Sequence, residues 1–116
     1  MKDLANNLIA VQSLAPAVRT ADANGTGVDL QFFEGAFVLF DIGAEGDTLS
    51  GSVKIDVKLE ESDDNSSFSA VTSSSAVTDG SIDSNGIWAT FDDNAEAPAV
   101  AGIGYVGGKR YIRVVA

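Results

Sequence analysis

Cysteine and histidine are both absent from this 116-residue chain. Without cysteine it can form no disulfide framework, no thiolate nucleophile and no thiolate metal site. Without histidine, and with its acids placed almost entirely in turns and at outward strand positions, the sequence offers no positioned general base. We therefore predict that the protein is not an enzyme and needs no cofactor.

Positive charge is also scarce, since 7 lysines and arginines stand against 17 acids and leave a net charge of −10. Such a balance repels phosphate backbones and anionic lipid headgroups, so neither nucleic acid nor a membrane is an expected partner. The chain has no apolar run long enough to span a membrane, and Leu8 to Val11 is too short for a signal sequence. We expect a soluble protein made in the cytoplasm.

The few cations are unevenly placed along the chain. Residues 41–96 hold 13 acids and only two lysines, whereas residues 97–116 hold Lys109, Arg110 and Arg113 with no acid. The carboxy-terminal segment is thus predicted to form a cationic spot on an anionic body. It is either a solvated strand face or a docking site for an acidic partner.

Two other clusters could bind a ligand. The acids between Glu60 and Asp64 could ligate calcium, but their spacing fits no EF-hand, and a solvated turn is favoured. Trp88 with Phe91, or Tyr105 with Tyr111, could form a stacking platform for a sugar. Aromatic residues that alternate in strands belong more often to the core, so no metal or sugar site is predicted from these residues.

Strand signals fill the chain after residue 20. From Ser52 to Glu60, apolar and polar residues alternate strictly, and the polar turn that follows at Ser62–Ser67 predicts a hairpin whose return strand begins at Phe68. A shorter alternation runs from Val28 to Phe32. Residues 36–42 are apolar at odd and even positions alike, which predicts a strand covered on two faces. Such a strand is either central in its sheet or also part of an interface.

The second half of the chain predicts two more strands and a last hairpin. Residues 72–86 are serine-rich and are expected to form a long exposed excursion, and Ile87–Phe91 reads as a short strand. Gly107 and Gly108 should turn the strand at 100–106 tightly into the last strand. A two-residue loop would place the ring of Tyr111 over Gly104.

These patterns predict an all-β fold, a single antiparallel β-sandwich of jelly-roll or immunoglobulin-like type formed by residues 21–116. Residues 1–20 are predicted to be an amino-terminal arm that could contain a short helix, because its leucines and Val11 lie near helical spacing before Pro16. The expected core consists of Phe37 or Val38, Leu39 or Phe40, Val53, Ile55, Val57, Leu59, Ile112 and Val114.

The apolar residues of the arm could cover the core or a neighbouring subunit. Phe32 and Phe33 must point to opposite faces if they lie in a strand, so one could enter the core while the other covers a partner or the arm. The candidate interface residues are Leu4, Leu8, Val11, Leu14, Phe32, Phe33, Lys109, Arg110 and Arg113.

Four phrases occur in order along the chain: residues 11–16 (VQSLAP), 28–31 (VDLQ), 58–68 (KLEESDDNSSF) and 104–115 (GYVGGKRYIRVV). Together they resemble the small virion proteins that tailed bacteriophages encode beside the major capsid protein. The resemblance implies a capsid decoration or cement protein that binds the outer surface of the head shell and stabilises it. It carries no catalytic or cofactor residues.

The partners implied are the major capsid protein and further copies of the chain, as a trimer or another ring, and the location implied is the virion surface. The alternatives are a head–tail or tail component of the particle and, from another class, a carbohydrate-binding or host-adhesion module. The latter would need exposed aromatic residues.

Overall fold

Two antiparallel sheets pack face to face in the computed structural model, which describes residues 8–44, 46, 48–96 and 99–116. The predicted all-β sandwich is confirmed. The strands are β1 (Val28–Asp29), β2 (Ala36–Ile42), β3 (Ile55–Ser62), β4 (Ser69–Ala70), β5 (Val77–Thr78), β6 (Ile87–Phe91), β7 (Ala99–Tyr105) and β8 (Tyr111–Val115), with 3₁₀ turns at Ser74–Ala76 and Asn94–Glu96.

Sheet A is built around β3, which pairs with β8 along one edge and with β4 and β6 along the other, while β1 flanks β8. Sheet B has the order β2-β7-β5. In the described part of the chain, no helix is long and apolar enough to cross a membrane.

The core lies between the inner faces of the two sheets. Its buried apolar residues are Val38, Ile42, Val57, Leu59, Val71, Val77, Phe91, Ile103, Tyr105, Ile112 and Val114. The expected burial of Val57, Leu59, Ile112 and Val114 is confirmed. Strand β2 turns Val38 inward rather than Phe37, and Phe40 rather than Leu39, with the Phe40 ring stacked on Phe91 at 6.3 Å between centroids.

Val53 was wrongly expected in the core. Its exposed fraction is 44%, because the pairing of β3 begins only at Ile55 and the preceding Ser50–Val53 segment closes on itself through a hydrogen bond from Ser50 N to Val53 O of 2.8 Å. The period-2 pattern therefore extends two residues beyond the strand that it predicts.

The hairpin predicted at Gly107–Gly108 is also wrong. Strand β7 belongs to sheet B and β8 to sheet A, so the two glycines carry the chain from one sheet to the other. The outer side of Gly104 is occupied by the Thr78 hydroxyl rather than by Tyr111, and a side chain there would collide with it.

A partly buried hydrogen bond joins the two sheets at this crossing. The hydroxyl of Tyr105, which is fully buried, donates to Glu61 Oε2 at 2.6 Å, from the inner face of sheet B to that of sheet A. Burial and the Glu61 carboxylate hold the pKa of Tyr105 well above its usual range, so the phenol stays protonated and remains a donor.

Two loop expectations also need correction. The strand predicted from Val28 to Phe32 ends at Asp29, where Asp29 Oδ1 accepts from Gln31 N at 2.9 Å and starts a turn. The serine-rich excursion at 72–86 is not wholly exposed, because Val77 is buried in β5 and pairs with Tyr105.

We predict that two valines of the same alternating run differ sharply in their contribution to stability. Val57→Ala should lower the free energy of unfolding by about 2–3 kcal/mol, because it leaves a cavity at a site that is 0% exposed. Val53→Ala should change it by less than about 0.5 kcal/mol. Urea denaturation of both variants measures this, and equal losses would mean that β3 begins before Ile55.

Candidate docking surface

The outer face of sheet B is apolar and exposed. Phe37 and Leu39 lie on this side of β2 and Val100 on this side of β7, with exposed fractions of 63%, 65% and 64%. The register opposes Leu39 to Gly102 and Asp41 to Val100, so Val100 is the diagonal neighbour of Leu39. We call Phe37, Leu39 and Val100 the outer apolar face.

Glycines make this face flat. The ring of Phe37 lies across β7 over Gly102, where a Cβ would come within 2.5 Å of the ring. Gly104, the next outward position of β7, has the Thr78 hydroxyl above it. Strand β7 thus contributes backbone instead of side chains beneath Phe37, which leaves a broad and shallow apolar surface.

Of the two alternatives predicted for residues 36–42, the central strand is wrong, and the interface stays a prediction. Strand β2 is an edge strand of sheet B, and no strand among the described residues pairs with its other edge. The apolar run at both parities was the sequence signal for this surface. It marks a second apolar face, but Phe37, Leu39 and Val100 were not among the candidate interface residues.

The charges differ between the two outer faces of the sandwich. The three strands of sheet B contain neither lysine nor arginine, and Asp41 is their one charged residue. Sheet A carries cross-strand ion pairs on its outer face, among them Arg113 with Glu60 at 2.6 Å. One face is therefore polar with paired charges, and the other is apolar with an acid at its border.

The turn between β1 and β2 presents Phe32 and Phe33 away from the core. Phe32 has a φ of +72°, a left-handed conformation that is costly for a residue with a side chain, and its exposed fraction is 94%. Phe33 is also exposed, and it lines a shallow cavity of about 380 Å³ with Gly35, Gly107 and Gly108. The expectation that one of the two enters the core is wrong.

The predicted cationic spot is neutralised within the chain. Lys109 Nζ lies 2.7 Å from Asp63 Oδ2, and Arg110 holds Asp29 through two hydrogen bonds of 2.9 and 2.8 Å. Because its cations already have intramolecular partners, this segment does not present a free positive surface to an acidic protein.

Arg113 is the most enclosed of the three carboxy-terminal cations. Its guanidinium binds Glu60 and also lies 4.2 Å above the centroid of the Phe68 ring. Both partners of this ion pair are partly buried. Arg113 therefore links β8 to β3 on the outer face of sheet A.

The arm is irregular over residues 8–20, with no helix in that range. It is fixed at Ser13, whose Oγ donates to Thr26 O at 2.8 Å and accepts from Val114 N at 3.1 Å. Leu8 and Val11 are exposed on the amino-terminal side of this anchor, and Leu14 is half-buried. Leu4 lies outside the described residues.

The proposed sugar platforms do not exist in this arrangement. Phe91 and Tyr105 are buried, and Trp88 packs against the core with its Nε1 enclosed and without a hydrogen-bond partner. Among the residues that the structure describes, no group of three acids is placed to hold a metal ion.

We predict that the Phe32 backbone is strained enough for glycine to be preferred there. Phe32→Gly should raise the free energy of unfolding by about 0.5–1 kcal/mol, because relief of the left-handed strain exceeds the added chain entropy. Phe33→Gly is the control and should lower it by about 1 kcal/mol, since the φ of Phe33 is not positive. Thermal denaturation measures the stability of both variants. A loss of stability in Phe32→Gly would show that the Phe32 ring packs against the protein in solution.

A second prediction concerns Asp29. The hydrogen bonds from Arg110 and from Gln31 N lower the pKa of Asp29 from 3.8 to about 2. Because this pKa is depressed by folding, the contribution of Asp29 to stability is present at neutral pH and is lost as pH falls from about 4 through about 2.

Arg110→Gln should return the pKa of Asp29 towards 3.8, and an NMR titration of the side-chain carboxyl measures it. Lys109→Gln is the matched control and should leave Asp29 unmoved, because Lys109 pairs with Asp63. A wild-type Asp29 that titrates near 4 would mean that the ion pair with Arg110 does not form in solution.

Comparisons with known proteins found no match to this chain. No family model matches the chain, no curated protein matches it, and no solved structure matches it. The features of the molecule that bear on its function are an anionic β-sandwich, one apolar outer sheet face, an exposed aromatic turn at Phe32 and Phe33, and an arm anchored at Ser13.

Proposed function

We propose that this chain is a non-catalytic structural protein of a tailed-bacteriophage virion, a decoration protein that binds the outer surface of the head shell and stabilises it. The observation that carries the proposal is the outer apolar face, because three neighbouring apolar side chains more than 60% exposed mark a protein interaction site rather than a solvated surface. The motif resemblance supplies the class of particle.

The distribution of charge suits this role. A body of net charge −10 repels packaged nucleic acid, which favours the outside of a shell over its inside. Repeated copies on the lattice of the major capsid protein, as trimers or another ring, would gain avidity, so that each contact can be modest.

The arm offers a second contact. Leu8 and Val11 are exposed beyond the anchor at Ser13, so ordering them against a neighbour would bury apolar area that the single chain leaves in water. The alternative of a carbohydrate-binding or host-adhesion module has less support, because Trp88 and Tyr105 face the core. The exposed aromatic residues are Phe32, Phe33 and Phe37, and phenylalanine lacks the polar group that tyrosine and tryptophan offer to a sugar.

Co-sedimentation with head shells that lack the protein tests the proposal. Full-length protein should bind the shells in saturable amounts, and cryo-electron microscopy should show added density on the shell surface. Density at the portal vertex would favour a head–tail component instead, and no binding to any part of the particle would overturn the proposal.

A truncation separates the contribution of the arm from that of the sandwich. Removal of residues 1–12 leaves Ser13 and its bonds to Thr26 and Val114 in place, so the sandwich should keep its thermal stability. Attachment to the shells should weaken about tenfold, because the exposed Leu8 and Val11 are lost. Unchanged attachment would exclude the arm from docking.

A further inference from the structure

We infer that the outer apolar face is the docking site itself, and that the surface it binds is apolar at its centre and ringed by lysine or arginine. The identity of that surface as a phage shell rests on the proposed function, but its chemistry does not. It follows from the burial, register and charge of sheet B.

The apolar centre comes from side chains that the single chain does not use. Phe37 and Leu39 alternate with the core residues Val38 and Phe40 on the same strand, so they cannot turn inward without exposing those residues. With Val100 they form a continuous apolar surface over the glycine floor at Gly102. The ring of Phe37 offers a large apolar area, and aromatic side chains dominate the energetics of protein interfaces.

The charges at the border of the outer apolar face are negative, and they favour a partner surface of positive charge. Asp41 stands opposite Val100 at one end, and Asp79 directly follows Thr78, which covers Gly104 on the other side of β7. The strands of sheet B provide no cation to balance them. A partner with an apolar patch surrounded by lysine or arginine would place the patch on the outer apolar face and its cations beside the acids at the border.

The same charges argue against a second copy of the chain as the occupant of this face. A two-fold contact through sheet B would bring the acids of one copy against those of the other, between two bodies of net charge −10. The carboxy-terminal cations do not supply a matching cationic surface either, because Lys109, Arg110 and Arg113 are already paired with acids.

The test uses two synthetic helical peptides that share one leucine-rich face and differ only in the residues that flank it, lysine in one and glutamate in the other. Isothermal calorimetry with the full chain should detect binding of the lysine-flanked peptide, weakened by added salt, and none of the glutamate-flanked peptide. Amide shift changes in an NMR titration should map to β2 and β7.

Variants then locate the site. Phe37→Ser and Leu39→Ser should each weaken binding about tenfold or more, while Val53→Ser, an exposed valine outside the face, should not change it. Asp41→Lys should weaken binding several-fold and flatten its salt dependence, and Asp92→Lys, at an exposed position after β6, should do neither. Circular dichroism confirms that each variant is folded.

The outcomes separate this inference from the proposed function. Equal binding of both peptides, or binding that Leu39→Ser leaves intact, overturns the inference. So does a concentration-dependent dimer in sedimentation velocity that Leu39→Ser abolishes, because a second copy would then occupy the face. Face-dependent binding of the lysine-flanked peptide without any binding to shells retains the inference and overturns the decoration role. If the protein binds shells, and neither Phe37→Ser nor Leu39→Ser changes that binding, the decoration role is retained and the inference is overturned.

Discussion

The hydrogen bond between Tyr105 and Glu61 is the contact on which the arrangement of the two sheets depends. It joins the inner face of β7 to that of β3 at a partly buried site, where the enclosed phenol of Tyr105 would be costly to leave unpaired. Directly after Tyr105 the chain leaves sheet B, and it enters sheet A at Tyr111. The backbone N of Lys109 lies 3.4 Å from the same hydroxyl, so the crossing itself is attached to this contact.

The local patterns in the sequence predict where strands occur, but they do not predict which strands pair in a sheet. Alternation identifies β3, and the burial of Val57 and Leu59 follows from it. The Gly107–Gly108 pair, by contrast, has the same local signature whether it closes a hairpin or crosses between sheets. The choice depends on Tyr105 meeting a residue 44 positions away, which no short window of sequence contains.

The same limit explains the errors at the candidate site. The carboxy-terminal cations looked unpaired because their segment holds no acid, yet Lys109, Arg110 and Arg113 find partners 46, 81 and 53 residues away. The run at 36–42 did predict two apolar faces. Which of them lies in water depends on the place of β2 in its sheet, and that place is set by pairing with β7.

The free edge of β2 also bears on how the isolated protein behaves in the laboratory. The backbone donors and acceptors of β2 that point away from β7 have no strand partner among the described residues, and the apolar side chains of Phe37 and Leu39 flank them. Edges of this kind template further strands, and Asp41 is the one charge on β2 that opposes such stacking. We therefore expect concentrated samples to be prone to strand addition at this edge, and we expect low-salt buffers, which preserve the repulsion between the acidic bodies, to slow it.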